Sequence, residues 1–483
     1  MSMPRNYWAP IAWTCNVLCW VFLVLWVGTT KQPSDVTFLV CCSLISACTC
    51  FVVINPWNNN LCEPFKLVAF LYGWSFGLGP LLLASEGLYQ FEYLGSSWER
   101  LLSEGAFLAF IGLLALGAGF YSCSFFAKTD IEETPRSLCQ KEREALTVAG
   151  TGIFLVGGAA YLGLVYEAGG FTHFFFYTGG RADIFNGVFG GLYWASFFLI
   201  SGLCVIGCAH VKDHPVFVMI LALFVGVAFI PFQGREEVIA PVICGVLLLH
   251  YGHKRIGVKW MALTVCLLLV VASFLAYFRS SEKAATYRNT NSFVSTYSDQ
   301  FGVRILDTLA KNIEQMDAFL ITIRYVEKTH RTLGGNTLLN WLEPLNRHVF
   351  GGALESEHSG RFMTILINPE HRWSHTALSP SILGELYLNF AIPGVLVGLL
   401  LYGGVLRLLQ EKISEVQYAP VSLMLYPYPI WIISKAVIDG TVHLFRPLIV
   451  AIPILILYVI FMARFAGSRL PVTLETASAD QEK

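Results

Sequence analysis

Along the chain, apolar residues gather into long runs separated by short polar connections. A helical run of about 18 residues or more crosses the ~30 Å hydrocarbon layer of a bilayer. Such runs are predicted at residues 10–28, 36–54, 66–84, 106–126, 146–166, 187–209, 214–232, 258–278, 381–408, 420–440 and 446–464, with a shorter one at 236–251. The pattern predicts an all-α polytopic membrane protein of about 12 transmembrane helices. Residues 279–380 break the rhythm and form a long connection between the ninth and tenth spans. Within it, 297–330 repeats apolar residues near helical spacing: Ile305, Leu309, Ile313, Met316, Phe319 and Ile323. One or two amphipathic helices are expected there, lying on the membrane or capping a cavity.

The expected organisation is therefore spans one to nine in 1–278, the loop in 279–380, spans ten to twelve in 381–465 and a tail in 466–483. The first run follows a single Arg5 and carries no small-residue cleavage site before Lys31, so it reads as a retained span. Lysine and arginine mark the cytoplasmic side. Lys128, Arg136, Lys141 and Arg143 lie in one connection, Lys254, Arg255 and Lys259 in another, and Arg464, Arg469 and Lys483 at the end. Alternation from these places both termini in the cytoplasm and the long loop outside.

Composition agrees. The 483 residues are 55% hydrophobic and 13% charged, against ~25% charged in soluble domains, and the mean hydropathy is +0.59. A net charge of −1 gives no basis for nucleic-acid binding. The 13 cysteines fall almost entirely within apolar runs and read as small membrane hydrophobes rather than metal ligands or a disulfide framework.

Against this background a few charges stand out, because ionisable groups at membrane depth are costly and usually functional. Gly234-Arg235-Glu236-Glu237 follows the seventh span at its outer end. Arg235 reads either as an interfacial arginine reaching headgroups or as a ligand-binding cation, with Glu236 as its orienting partner. Arg181 follows a glycine pair, Arg279 closes the ninth span, and His443 and Arg446 lie in "DGTVHLFRP" beside Asp439. The loop adds Arg324, Arg347, Arg361, Arg372, His371 and His375. Arginines gathered on one face suit an anionic ligand, since the guanidinium fork binds phosphate bidentately and stays charged. His371 and His375 share a helical spacing used by zinc sites, but no third ligand accompanies them, so no metal is expected. His375 reads as a base by its ordinary pKa near ~6.5. The tenth span opens "SPSILGELYLNFAIPGVLVG": Ser379 or Ser381 can cap it, and Glu385, Tyr387 and Asn389 place polar groups in its first turns. Pro393 interrupts it, and Gly394 with Gly398 forms a small-residue packing face.

The outer Gly234-Arg235-Glu236 turn, the long loop and the helix start Ser379-Pro380-Ser381-Ile382-Leu383-Gly384-Glu385-Leu386-Tyr387-Leu388-Asn389-Phe390 together resemble the oligosaccharide repeat unit polymerases, the O-antigen polymerase (Wzy) type. The resemblance covers the span layout from about 140 to 465, with specific residues around 234–241 and 375–398. The chain departs from the pattern in the middle of the loop, where Pro344 and Arg347 lack the later Trp-Pro and Lys-Pro, and at Ala391, where glycine is common. The resemblance implies a GT-C-like membrane glycosyltransferase of the bacterial inner membrane. It would polymerise polyprenyl-pyrophosphate-linked oligosaccharide outside the cytoplasm, without a cofactor, alongside a chain-length regulator and a flippase. Arg235, His375 and Glu385 would then be catalytic. Arg181, Arg279, Arg324, Arg347, Glu236, Asn389, His443 and Arg446 would bind substrate. An O-antigen ligase-like transferase fits much the same residues. A transporter or flippase for the lipid-linked unit would instead place charges at the bilayer midplane, on broken helices in paired halves. A protein mannosyltransferase-like enzyme would want an acidic pair in the first outer loop, which "TTKQPSD" does not supply.

Overall fold

The computed structural model describes residues 36–54, 60, 62–85, 98–123, 137–171, 174, 189–232, 235–257, 259–261, 263–264, 266–268, 270–271, 315–338, 362–363, 365–366, 379–414, 420–440 and 445–466. Among these, all regular structure is helical and none is strand. The helices are α1 (Val36–Ile54), α2 (Pro64–Gly73), α3 (Gly79–Ser85), α4 (Trp98–Ser122), α5 (Gln140–Glu167), α6 (Phe189–Ser196), α7 (Phe198–His210), α8 (Pro215–Ala228), α9 (Arg235–Gly252), α10 (Met316–Thr329), α11 (Ser381–Ser414), α12 (Pro427–Asp439) and α13 (Phe445–Ala466). A π-turn at Trp74–Leu78 joins α2 to α3. Starts follow local chemistry. Pro64, Pro215 and Pro427 open their helices where a missing N–H costs nothing. Glu142 reaches back to accept the Cys139 N–H at 2.9 Å and closes a cap on α5.

Eight of these segments are long and apolar enough to cross a membrane: Val36–Val53, Pro64–Ala84, Trp98–Ser122, Gln140–Glu167, Gly191–His210, Pro215–Phe232, Ser381–Ile413 and Val421–Asp439. Shorter apolar helices at Glu237–Gly252, Lys259–Leu268 and Ile449–Arg464 occupy three further expected positions. The expected span 10–28 lies outside the described residues.

Two hydrophobic cores hold the bundle. One joins α1–α4, α10 and α11 through residues such as Phe38, Phe76, Leu101, Phe319 and Leu383. The other joins α5–α9, α12 and α13 through Phe197, Phe229, Phe232, Met424 and Ile454. In the first core α4 and α11 cross backbone to backbone: a Cβ on Gly119 would sit 1.9 Å from the Leu400 carbonyl oxygen, and one on Gly403 2.1 Å from that of Leu116. Small residues let helices approach closely where lipid offers no hydrophobic drive between them.

The contacts separate two ends of the bundle. At one, Gln410 pairs with Glu63, the Tyr251 hydroxyl donates to the Cys62 carbonyl at 2.8 Å, and His250 Nε2 meets Asn60 Oδ1 at 2.7 Å. Burial pushes the Cys62 thiol up to about 12 and lifts Glu63 above the ordinary carboxylate range. The opposite end carries the starts of α4, α9 and α13 and the C-terminus of α12.

Of the two positions expected for the loop helix, on the membrane or capping a cavity, α10 does not take the first. It does not lie over the surface: Met316, Phe319, Leu320 and Ile323 are buried within the first core. The Gln315 N–H donates to the Ser75 carbonyl at 3.3 Å, in the middle of the α2–α3 segment. At its other end Arg100 grips Glu327 with two hydrogen bonds of 3.0 and 2.6 Å. An amphipathic face of four large apolar residues is better buried among helices than spread at a headgroup layer, and the bundle leaves a slot for it.

Candidate functional site

The site is built from the ends of two helices that meet inside the bundle. Ser381 takes a positive φ of 63° after Pro380, and its Oγ accepts the Gly384 N–H at 3.2 Å, capping α11. Ser379 turns the other way and donates to the Ile438 carbonyl at 3.2 Å, satisfying an orphan acceptor at the C-terminus of α12. The two serines of the Ser-Pro-Ser start thus tie one helix beginning to one helix ending.

α11 is not one straight span. Ala391 adopts φ 52° and ψ −142°, and Pro393 follows, so the element is two limbs joined at a sharp reversal. Gly394 and Gly398, expected to pack a neighbouring helix, receive Leu386 of the first limb instead: their Cβ positions would fall 2.3 Å from its carbonyl oxygen and 2.4 Å from its Cδ2. Leu383 and Leu399 both lie against Gly112, at one level of α4. The first limb therefore folds back into the bundle, and Glu385 sits inside it rather than at the rim. Residues 381–389 are all buried, and exposed apolar side chains resume with Phe390, Ile392, Leu396, Val397 and Leu400.

The reversal leaves helix carbonyls without intrahelical donors, and the segment after α10 supplies them. The Leu333 and Gly334 N–H groups donate to the Leu388 and Asn389 carbonyls at 3.0 and 3.1 Å. The Asn389 side chain, fully buried, accepts the Gly335 N–H at 2.9 Å and donates to Thr337 Oγ1 at 2.5 Å and the Glu385 carbonyl at 2.7 Å. Its amide is engaged with protein on every side, a clamp between loop and helix.

Glu385 is fully buried, and its carboxylate lies against Gly440, where a Cβ would sit 2.5 Å from Oε2. Gly440 ends α12 with φ 66° and ψ −154°, a conformation open only to glycine. The "GELYLNF" start is thereby brought against the end of α12 at Gly440. Across the helix, Lys435 forms an ion pair with Asp439, and Ser434 is buried beside it. The sequence reading passed over Lys435, although a lysine inside an apolar helix was a visible signal.

A second group fixes the start of α9. Phe229 and Phe232 bracket a 3-10 turn just before Gly234 and pack on Phe197, Tyr193, Tyr161 and Phe174 at centroid distances of 5.1–6.0 Å. Glu237, 2% exposed, accepts the Tyr193 hydroxyl at 3.2 Å. Of the three adjacent charges, Glu237 faces inward and locks the first turn of α9. Arg235 and Glu236 open α9 and Arg446 stands in the first turn of α13, so their backbones are placed; their side chains lie outside the description. Arg324 lies half-buried on α10. Arg181, Arg279, Arg347, Arg361, His371, Arg372, His375 and His443 lie outside the described residues.

The helix α12 packs against α9, α11 and α13, so the element ending at Gly440 stands between Glu385 and the two arginine-bearing helix starts. Charges inside the bundle and a broken helix are features also expected of a transporter, so the position of the charges alone does not separate the two activities. The comparisons with known proteins do. No curated protein and no solved structure matches the chain. A family model described as O-antigen polysaccharide polymerase Wzy matches residues 11–465. That match covers nearly the whole chain, and with the membrane-crossing helices it makes this protein a member of the O-antigen polysaccharide polymerase Wzy family.

Proposed function

We propose that the protein polymerises oligosaccharide repeat units carried on polyprenyl pyrophosphate, at a site facing the periplasm or cell exterior of the bacterial inner membrane. The growing glycan moves from its lipid diphosphate onto a hydroxyl of the next lipid-linked unit. The bond between the glycan anomeric carbon and the diphosphate oxygen breaks, and a bond to the acceptor oxygen forms. The acceptor proton passes to a base, and the lipid diphosphate leaves with its negative charge. No outside energy source is needed, because the sugar–phosphate bond already carries it.

Fixed cations stabilise the departing diphosphate. Arg235 and Arg446 at two helix starts are the groups proposed for it, joined by Arg181, Arg279, Arg324, Arg347 and His443, with Glu236 orienting Arg235. Glu385 or His375 serves as base. Asn389 acts by holding the loop to α11, a positioning role in place of direct substrate binding. The observation that supports this reading is the Glu385 carboxylate lying against Gly440, which sets the start of α11 against the end of α12 inside the bundle. A flippase and a chain-length regulator are the proposed partners, and the chemistry needs no cofactor.

The test is the surface glycan ladder of a deletion strain complemented with wild-type or Arg235→Ala protein. Wild type restores the ladder; the variant inserts normally, yields capped single units and accumulates lipid-linked single repeats. A full ladder from Arg235→Ala refutes the role of Arg235. Loss of all capped core on deletion would point to a ligase, and intermediates trapped on the cytoplasmic face to a flippase.

A further inference from the structure

Lys435 and Asp439 lie on the last two turns of α12, and their side chains are only 11% and 15% exposed. An ion pair in such a place is costly to keep. Desolvating two charges costs several kcal/mol per ion, and apolar residues of similar volume often serve stability as well or better. Asp439 also stands at a helix C-terminus, where the macrodipole disfavours a negative charge. An ionisable pair retained at membrane depth against these terms marks a functional position.

Helical periodicity says which way the pair faces. Ile433 and Val437 pack on the first core and Gly440 meets Glu385, so 433, 437 and 440 share one face. Residues 435 and 439 fall opposite, on the face of Trp431 and Ile432, which pack on the second core. That is the side of α9 and α13, the helices that begin at Arg235 and Phe445. The C-terminus of α12 therefore has a carboxylate of α11 on one side and its own lysine pair toward the arginine-bearing helices on the other.

Resting on the polymerase reading above, we infer that Lys435 is a diphosphate-binding cation of the substrate site, with Asp439 as its resident counter-ion. An entering diphosphate takes up part of the lysine in exchange for part of that contact, so the lysine is shared between the two anions and Asp439 keeps its counter-ion. The flexible four-carbon stem of lysine suits such an exchange better than a fixed fork.

The full-length protein, purified in detergent or nanodiscs, tests this with two readouts: lengthening of lipid-linked repeat units, and thermal stabilisation by inorganic diphosphate as probe. Lys435→Met/Asp439→Leu removes both charges of the pair together. It is expected to unfold at or above the wild-type temperature, to lose stabilisation by diphosphate, and to raise KM for the donor about tenfold or more, the worth of one charged contact. Asp439→Asn removes the carboxylate that competes for the lysine and should respond to diphosphate at lower concentration; Lys435→Arg should retain the response. Wild-type KM and diphosphate response in the double variant, or an unchanged response in Asp439→Asn, overturns the inference. A wild-type protein that never lengthens lipid-linked units, yet is stabilised by diphosphate through Lys435, would sink the polymerase reading and leave this one standing.

Discussion

Gly440→Ala perturbs the contact on which the site depends, and two separable costs follow from the structure. The backbone holds φ 66° and ψ −154°, and a residue with a side chain kept in such a region loses about 1–3 kcal/mol. The new methyl would also stand 2.5 Å from Glu385 Oε2 and 3.1 Å from the Ser381 carbonyl oxygen. The first neighbour is the end of a side chain and can move; the second is backbone and resists. Glu385 is therefore displaced, and polymer synthesis should fall further than stability alone explains. The strain is present whatever residue occupies position 385, but the side-chain clash is not. A cycle of Gly440→Ala, Glu385→Ala and the double variant separates them, with thermal unfolding in detergent as the measure. Gly440→Ala should cost less in the Glu385→Ala background than in wild type, by about 0.5–3 kcal/mol, the range of coupling between residues in contact. Strict additivity in stability, with a normal glycan ladder from Gly440→Ala, would refute the contact and with it the meeting of the α11 start with the α12 end.

Three other substitutions probe the supports of the site. Asn389→Leu removes three hydrogen bonds worth about 1 kcal/mol each and leaves the Gly335 N–H and Thr337 hydroxyl without that partner. It should lower stability by about 2–4 kcal/mol and expose the 333–338 segment to protease, whereas unchanged proteolysis would show that the clamp is dispensable. Tyr193→Phe deletes the hydroxyl on buried Glu237 and should cost about 1.5–3 kcal/mol, a loss that Glu237→Leu in the same background recovers in part; thermal unfolding with no such recovery would argue against the pair. Gly403→Val drives a side chain into the Leu116 carbonyl at the α4–α11 crossing and should abolish detergent-stable protein, while Val at Gly117, which faces open space, should not.

Much of the bundle was legible because membrane crossing imposes a length and a polarity that a sequence displays directly. The expected spans 36–54, 66–84, 146–166, 214–232 and 420–440 fall on α1, α2–α3, α5, α8 and the segment ending in α12. The loop's helical periodicity was also legible at Met316, Phe319 and Ile323, but not its destination. A periodic face states that it must be covered, and leaves open whether lipid, a cavity or neighbouring helices cover it. The same holds for "GREE", where the sequence offered three charges and only packing distinguished Glu237, held by Tyr193, from its neighbours.

The one-dimensional pattern was enough to establish an all-helical membrane protein, its principal spans, and the residue types from which a phosphate-handling site could be drawn. Those follow from the cost of exposing backbone and charge to hydrocarbon, a cost paid segment by segment. The fold-back at Ala391, the seat of α10, the clamp at Asn389 and the meeting of Glu385 with Gly440 were decided by tertiary structure. The last three join segments distant in sequence: 52 residues separate Thr337 from Asn389, and 227 separate Arg100 from Glu327. Pro393 predicts that a helix breaks, but the direction of the next limb depends on what Leu386, Leu383 and Leu399 find to pack against.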